Sequence, residues 1–168
     1  MISEAVYIAQ GDEMVSDKEG LVISTILGSC ISVCLWDPVR RVGGMNHLLL
    51  PELKSREPGL NSTGAIAMER LINQMVRLGA ERARLRAKLF GGSSMLSGMT
   101  DIGARNAEFG RSYLISEGIP CDNESVGGTQ ARKLRFWPTS GSAMQKFVEE
   151  APELAAPVSV AENDVELF

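Results

Sequence analysis

Leu21-Val22-Ile23-Ser24-Thr25-Ile26-Leu27-Gly28-Ser29-Cys30-Ile31-Ser32-Val33-Cys34-Leu35 is the stretch on which the reading of this chain turns. Two short, β-branched, apolar runs flank Gly28-Ser29-Cys30, the pattern of two strands or of one strand interrupted at the glycine. The interruption carries a cysteine. Further on, Gly43-Gly44-Met45-Asn46-His47 ends in the only histidine of the chain. A thiol attacks as its thiolate and needs a base or a positive neighbour to form it. Imidazole is the side chain whose ordinary titration falls near neutrality. Cys30 and His47 are therefore a candidate Cys-His hydrolase pair, set against the plainer reading of Cys30 as a small buried hydrophobe.

Outward from this stretch the chain alternates strands and helices. Trp36-Asp37-Pro38 marks a turn, and Val42 to Leu50 reads as extended until Pro51 closes it. The region from Lys54 to Leu60 reads as a loop. Asn61, Ser62 or Thr63 can cap a helix whose Ile66, Met68, Leu71, Ile72, Met75, Val76 and Leu78 recur at helical spacing, with Gly79 at its end. Ala83, Leu85, Ala87 and Leu89 alternate with Arg82, Arg84, Arg86 and Lys88, which predicts a strand with one apolar and one basic face. Phe90-Gly91-Gly92-Ser93-Ser94 is a glycine-rich turn without the Gly-Lys-Ser/Thr ending of a phosphate loop. A second helix is predicted from Ile102 to Glu117, ended by Gly118 with Pro120 beyond. Ile119 to Val126 reads as extended up to the Gly127-Gly128 turn, and Lys133 to Trp137 with Ala143 to Val148 reads as a hairpin. Together these predict one α/β or α+β domain over residues 1–148.

Composition narrows the class. With 44% hydrophobic and 23% charged residues the chain is that of a globular protein. No apolar run reaches the roughly 18 residues of a membrane span, and the N-terminal stretch lacks the basic start and apolar core of a signal peptide. Three cysteines form no disulfide framework, as expected of a cytoplasmic protein, and with one distant histidine they form no metal site. No cofactor is predicted. The net charge of −4 divides into a tail of −6, from Glu149 onward, and a body of +2. That body is far from the strongly basic surface of a nucleic-acid binder. Residues 149–168 offer no packing face and read as a disordered acidic tail, ending in Val165-Glu166-Leu167-Phe168 like a short docking peptide. Cys34, four positions beyond Cys30 on a strand, reads as core.

Several blocks, in order, carry a family resemblance. Leu27-Gly28-Ser29-Cys30-Ile31-Ser32-Val33-Cys34-Leu35-Trp36-Asp37 and Gly43-Gly44-Met45-Asn46-His47-Leu48-Leu49-Leu50-Pro51 resemble the chemoreceptor glutamine deamidases, the CheD family. Ala87-Lys88-Leu89-Phe90-Gly91-Gly92, Ile102-Gly103-Ala104-Arg105-Asn106, Val126-Gly127-Gly128 and Arg132-Lys133-Leu134-Arg135-Phe136 continue it, so that it spans nearly all of residues 5–148. The resemblance implies a fold like that of the cytotoxic necrotizing factor toxins, with β-sheets flanked by helices. It implies hydrolysis of receptor glutamine side-chain amides to glutamate and ammonia by a Cys-His-Thr triad, with Cys30 as nucleophile and His47 as base. It also implies chemoreceptor cytoplasmic domains as partners, and a CheC-type phosphatase as a further one. For the third member, counting back from the cysteine favours Ser24 and residue identity favours Thr25; the reading leans to Ser24. Only one of these neighbours can face His47. Amides of the Gly28-Ser29-Cys30 turn are the candidate oxyanion donors. The basic residues Arg82, Arg84, Arg86 and Lys88, or Arg132, Lys133 and Arg135, are candidates for steering an acidic receptor surface. A non-catalytic adaptor and a glutamyl methylesterase at the same site are the alternatives.

Overall fold

The computed structural model describes residues 4–50, 63–95, 101–149 and 165–168. In chain order its elements are β1 (Ala5–Tyr7), β2 (Glu13–Ser16), β3 (Val22–Leu27), β4 (Ile31–Asp37), β5 (Val42–Asn46), α1 (Thr63–Arg77), β6 (Arg86–Gly91), α2 (Ile102–Ser116), β7 (Cys121–Val126), β8 (Ala131–Trp137), β9 (Ser142–Val148) and β10 (Val165–Leu167). The runs on either side of Gly28-Ser29-Cys30 are indeed two strands, and they belong to different sheets. One sheet has the order β1-β3-β8-β9-β10 and the other β2-β5-β4-β6-β7. The short turn between β3 and β4 is thus where the chain crosses from one layer to the next.

Side-chain alternation assigns the layers. Ile31, Val33 and Leu35 of β4 join Ala87 and Leu89 of β6 in a core with Met68, Leu71, Ile72 and Met75 of α1 and Ala107 and Leu114 of α2. The opposite face of the same strands presents Cys34, Trp36 and Phe90 to Ile23, Leu27, Leu134 and Phe136 of the other sheet. The second sheet is therefore a middle layer, covered by helices on one side and by the first sheet on the other. Burial on both faces explains why all seven residues of β4 are buried and why it reads as a continuous apolar run. The α+β domain read from the sequence, with the sheets and flanking helices that the resemblance implies, is the architecture found. No helix among the described residues is long and apolar enough to cross a membrane.

Close approach of the layers depends on β5. A Cβ on Gly43 would lie 2.2 Å from the carbonyl oxygen of Pro138, at the β8–β9 turn. On the other face, one on Gly44 would lie 2.9 Å from a methyl of Leu71 on α1.

Three sequence expectations need correction. Arg82–Arg84 forms one 3-10 turn and the strand begins only at Arg86. The Asp37 carboxylate draws that turn in, accepting from Glu81 N at 2.9 Å and pairing with Arg84. The basic residues of that predicted face are also engaged within the fold rather than free to steer a partner. Arg82 pairs with Glu69 and Glu117, Arg86 with Asp122, and Lys88 is buried over the Trp36 ring, donating to Gly141 O and Phe168 O. Finally, the end of the acidic tail is ordered: β10 pairs antiparallel with β9, and Phe168 meets Phe90 edge-on at 5.3 Å. The predicted loop at 54–60, the caps Asn61 and Ser62, and residues 150–164 of the tail lie outside the described residues.

Because Pro138 is backbone and cannot swing aside, Gly43→Ala should lower unfolding stability by about 3 kcal/mol. Urea titration reads this directly, and a loss under about 0.5 kcal/mol would show that the layers are less tightly apposed than described.

Candidate active site

Cys30 and His47 approach through strand register. Cys34 pairs with Met45, and Ile31 with Leu48 by two backbone bonds of 2.9 and 2.7 Å. That count sets Ser32 opposite His47, with Cys30 two residues before Ser32 on the same face, one diagonal step from the imidazole. His47 itself is held from the other side: its N–H donates to Asp12 O at 3.0 Å and its carbonyl accepts from Gly11 N at 2.9 Å. Both residues are nearly closed off, Cys30 at 8% and His47 at 6% exposure.

The third residue comes from the other sheet. Alternation along β3 turns Ile23, Thr25 and Leu27 inward, leaving Ser24 and Ile26 half-buried on the other face. Thr25 Oγ1 lies 2.7 Å from His47 Nδ1, and it also lies 2.7 Å from the carbonyl oxygen of Ile8. The lean toward Ser24 is thus corrected: Thr25, not Ser24, faces the imidazole, because adjacent strand residues point to opposite faces. A hydroxyl has one proton. If it is donated to the Ile8 carbonyl, which can only accept, then Nδ1 must carry its own proton and donate to Oγ1. That arrangement fixes the ring tautomer and leaves Nε2 as the free acceptor.

The nucleophile turn is held by its carbonyls. Gly28 O accepts from Ser93 N at 3.0 Å, Ser29 O from Asn106 Nδ2 at 2.8 Å, and Cys30 O from Gly92 N at 2.8 Å. In a trans peptide the C=O and the following N–H point in opposite directions. Tying Gly28 O and Ser29 O therefore turns the Ser29 amide away from the glycine loop and the Cys30 amide away from α2. Gly91 is required here: its φ is 106°, and a Cβ would lie 2.2 Å from Cys30 O. Gly28 needs no left-handed conformation, and a Cβ there would meet only the Met95 side chain, at 3.4 Å or more. Behind the loop, Arg132 is buried and donates to Ser93 Oγ at 3.0 Å. It supports the turn and is unavailable for steering a partner.

Electrostatics keep the pair uncharged. Burial pushes the Cys30 thiol up to about 11, partly offset by its own backbone amide. Burial likewise lowers His47 to about 4, against a smaller opposing effect of the Asp12 carboxylate. At neutral pH the site holds a thiol and a neutral imidazole rather than a preformed ion pair. Cys34, wholly buried beside Lys88, is pushed up by burial and is core. Gln10, whose Oε1 lies 3.9 Å from Cys30 Sγ, carried no signal in the sequence. Asn106 stood in a resemblance block, but its contact with the turn has no local sequence signature.

The family model described as CheD chemotactic sensory transduction matches residues 49–147. A Caulobacter sp. (strain K31) protein named "Probable chemoreceptor glutamine deamidase CheD" is 44% identical over 97% of this chain and 92% of its own. A protein of the same name from Zymomonas mobilis subsp. mobilis is 48% identical over 84% of this chain and 79% of its own. Among solved structures, the Bacillus licheniformis hypothetical protein YfiH aligns with a TM-score of 0.47 and 19% identity, covering 68% of this chain and 50% of that one.

Two outcomes follow from the neutral pair. Alkylation of Cys30 by iodoacetamide, followed by peptide mass spectrometry, should be slower at pH 7.5 than that of free cysteine and should climb through pH 9 without a plateau. A plateau near neutrality would mean a resting thiolate. The second outcome concerns stability. Since His47 is lowered from 6.5 to about 4 on folding, the unfolded chain takes up the proton first as pH falls. The contribution is whole above pH 6.5 and is eroded toward pH 4, by up to about 1.4 kcal/mol per pH unit. Urea titrations at pH 7 and pH 5 should show a smaller drop for His47→Gln than for the unaltered chain; equal drops would contradict this.

Proposed function

The chain belongs to the CheD family, and on that premise we propose that it hydrolyses glutamine side-chain amides of bacterial chemoreceptors, with Cys30 as nucleophile, His47 as base and Thr25 as the residue that orients the ring. The observation that supports this most is the Thr25 Oγ1–His47 Nδ1 contact across the two sheets, which occupies Nδ1 and leaves the role of base to Nε2.

The chemistry proceeds from the neutral pair. As Cys30 Sγ attacks the amide carbon, His47 Nε2 takes the thiol proton. The amides of Ser29 and Cys30 receive the oxyanion. The imidazolium then gives its proton to the departing nitrogen, the C–N bond breaks, and ammonia leaves a thioester on Cys30. Water attacks that thioester while Nε2 accepts its proton. The C–S bond breaks, the sulfur is reprotonated, and glutamate is released. Overall one amide and one water become one carboxylate and one ammonium. Thr25 orients the ring but, as a neutral hydroxyl, stabilises imidazolium less than the Asp of a Ser-His-Asp triad would, so turnover is modest.

Mass spectrometry of a chemoreceptor cytoplasmic fragment incubated with the protein should show Gln-to-Glu conversion that is abolished in Cys30→Ala and His47→Gln. Thr25→Ala should slow it by about 10- to 100-fold, while Ser24→Ala should stay within about threefold of the unaltered chain. Binding without any mass shift would favour the adaptor reading, and equal effects at Ser24 and Thr25 would remove Thr25 from the triad.

A further inference from the structure

We propose that Asn106 is a positioning residue for this reaction: a buried amide on α2 that sets the peptide plane between Ser29 and Cys30, and through it the direction of the Cys30 N–H. The inference rests on the functional reading above and extends it to a residue that touches neither thiol nor imidazole.

Of the three bonds that hold the carbonyls of the nucleophile turn, two come from backbone amides, which no side-chain substitution removes. The third is the Asn106 Nδ2 donation to Ser29 O at 2.8 Å. Its other end is also engaged, since Asn106 Oδ1 accepts from Leu50 N at 3.1 Å. One planar amide thus spans the arm that carries Cys30 and the arm that has just carried His47. At 1% exposure water does not readily replace either bond. The helix beneath it is pressed in place: a Cβ on Gly103 would lie 2.4 Å from Ser93 O, so α2 and the glycine loop sit at backbone contact. With Ser29 O turned toward Asn106, the Cys30 N–H must turn the other way. The same amide favours the Cys30 thiolate, against the larger effect of burial. Without Asn106, Ser29 O is an orphaned buried acceptor, and rotation of the peptide plane to relieve it carries the Cys30 amide off the oxyanion position.

The test compares the full chain with N106D, which keeps an acceptor for Leu50 but loses the donor to Ser29, and with N106A, which loses both. Deamidation kinetics on a receptor fragment are measured together with iodoacetamide labelling of each cysteine at pH 8.5. Protection of Cys34 reports that the fold is intact, and labelling of the exposed Cys121 serves as the reagent control. Both variants should lose kcat by about 100-fold with KM within about threefold, the signature of a contact made chiefly in the transition state. Cys30 labelling should also slow several-fold, because its amide no longer favours the thiolate. A kcat within threefold of the unaltered chain in either variant, with Cys34 still protected, would overturn the proposal. So would a lowered melting temperature with unchanged kcat and unchanged Cys30 labelling, which is what a purely structural amide predicts. If the unaltered chain converts no receptor glutamine, the deamidase reading fails, and Cys30 labelling alone decides the role of Asn106. Should N106D expose Cys34, N106A carries the same comparison.

Discussion

The site depends on the chain changing sheets within three residues. β3 ends at Leu27 in one layer and β4 begins at Ile31 in the other, so Gly28, Ser29 and Cys30 must turn with no ladder of their own. Backbone carbonyls in such a place need partners, and they find them in the Gly92-Ser93 backbone and the Asn106 side chain. The amides of the same turn are left facing the opposite way. A packing requirement, the crossing between layers, thereby yields a cysteine at the rim of the inter-sheet core with its own amide beside it.

The same crossing explains why the third residue comes from a different sheet than the first two. Cys30 and His47 are related by the register of β4 and β5, whereas Thr25 reaches the ring from β3 across the inter-sheet space. Burial that assembles the three also removes charge from them. The thiol and the imidazole each resist ionisation, burial raising the one and lowering the other. This arrangement suits a protein that must act on selected glutamines rather than react with any electrophile it meets.

Much of this was legible in the residues. The strand–turn–strand reading of Leu21 to Leu35, both helices and the hairpin near the C-terminus follow from spacing and turn chemistry that tertiary contacts leave unaltered. Ser24 and Thr25 could not be separated, because β3 is apolar at both parities: Val22 and Ile26 lie on one face, Ile23 and Leu27 on the other. Period-two alternation then has no polar side to mark. The strand predicted from Arg82 failed because Asp37, distant in sequence, pulls Glu81 and Arg84 into a tight turn. Lys88 reads as a surface cation and lies in the core, satisfied by two carbonyls and an indole ring. The terminal strand has no signature of its own in the residues, because its partner, β9, supplies most of the reason for it to be a strand. In each miss the deciding contact is long-range, where local propensity carries no information.

His47 is the only histidine, so its ring nitrogens can be observed without ambiguity by long-range nitrogen–proton NMR on uniformly labelled protein. The ring is expected to be neutral at pH 7 with the proton on Nδ1, held by Thr25, and Nε2 unprotonated, unchanged as pH is lowered to about 5. A ring protonated on Nε2, or one that titrates near 6.5, would contradict this, since neither leaves a buried base free to take the Cys30 proton.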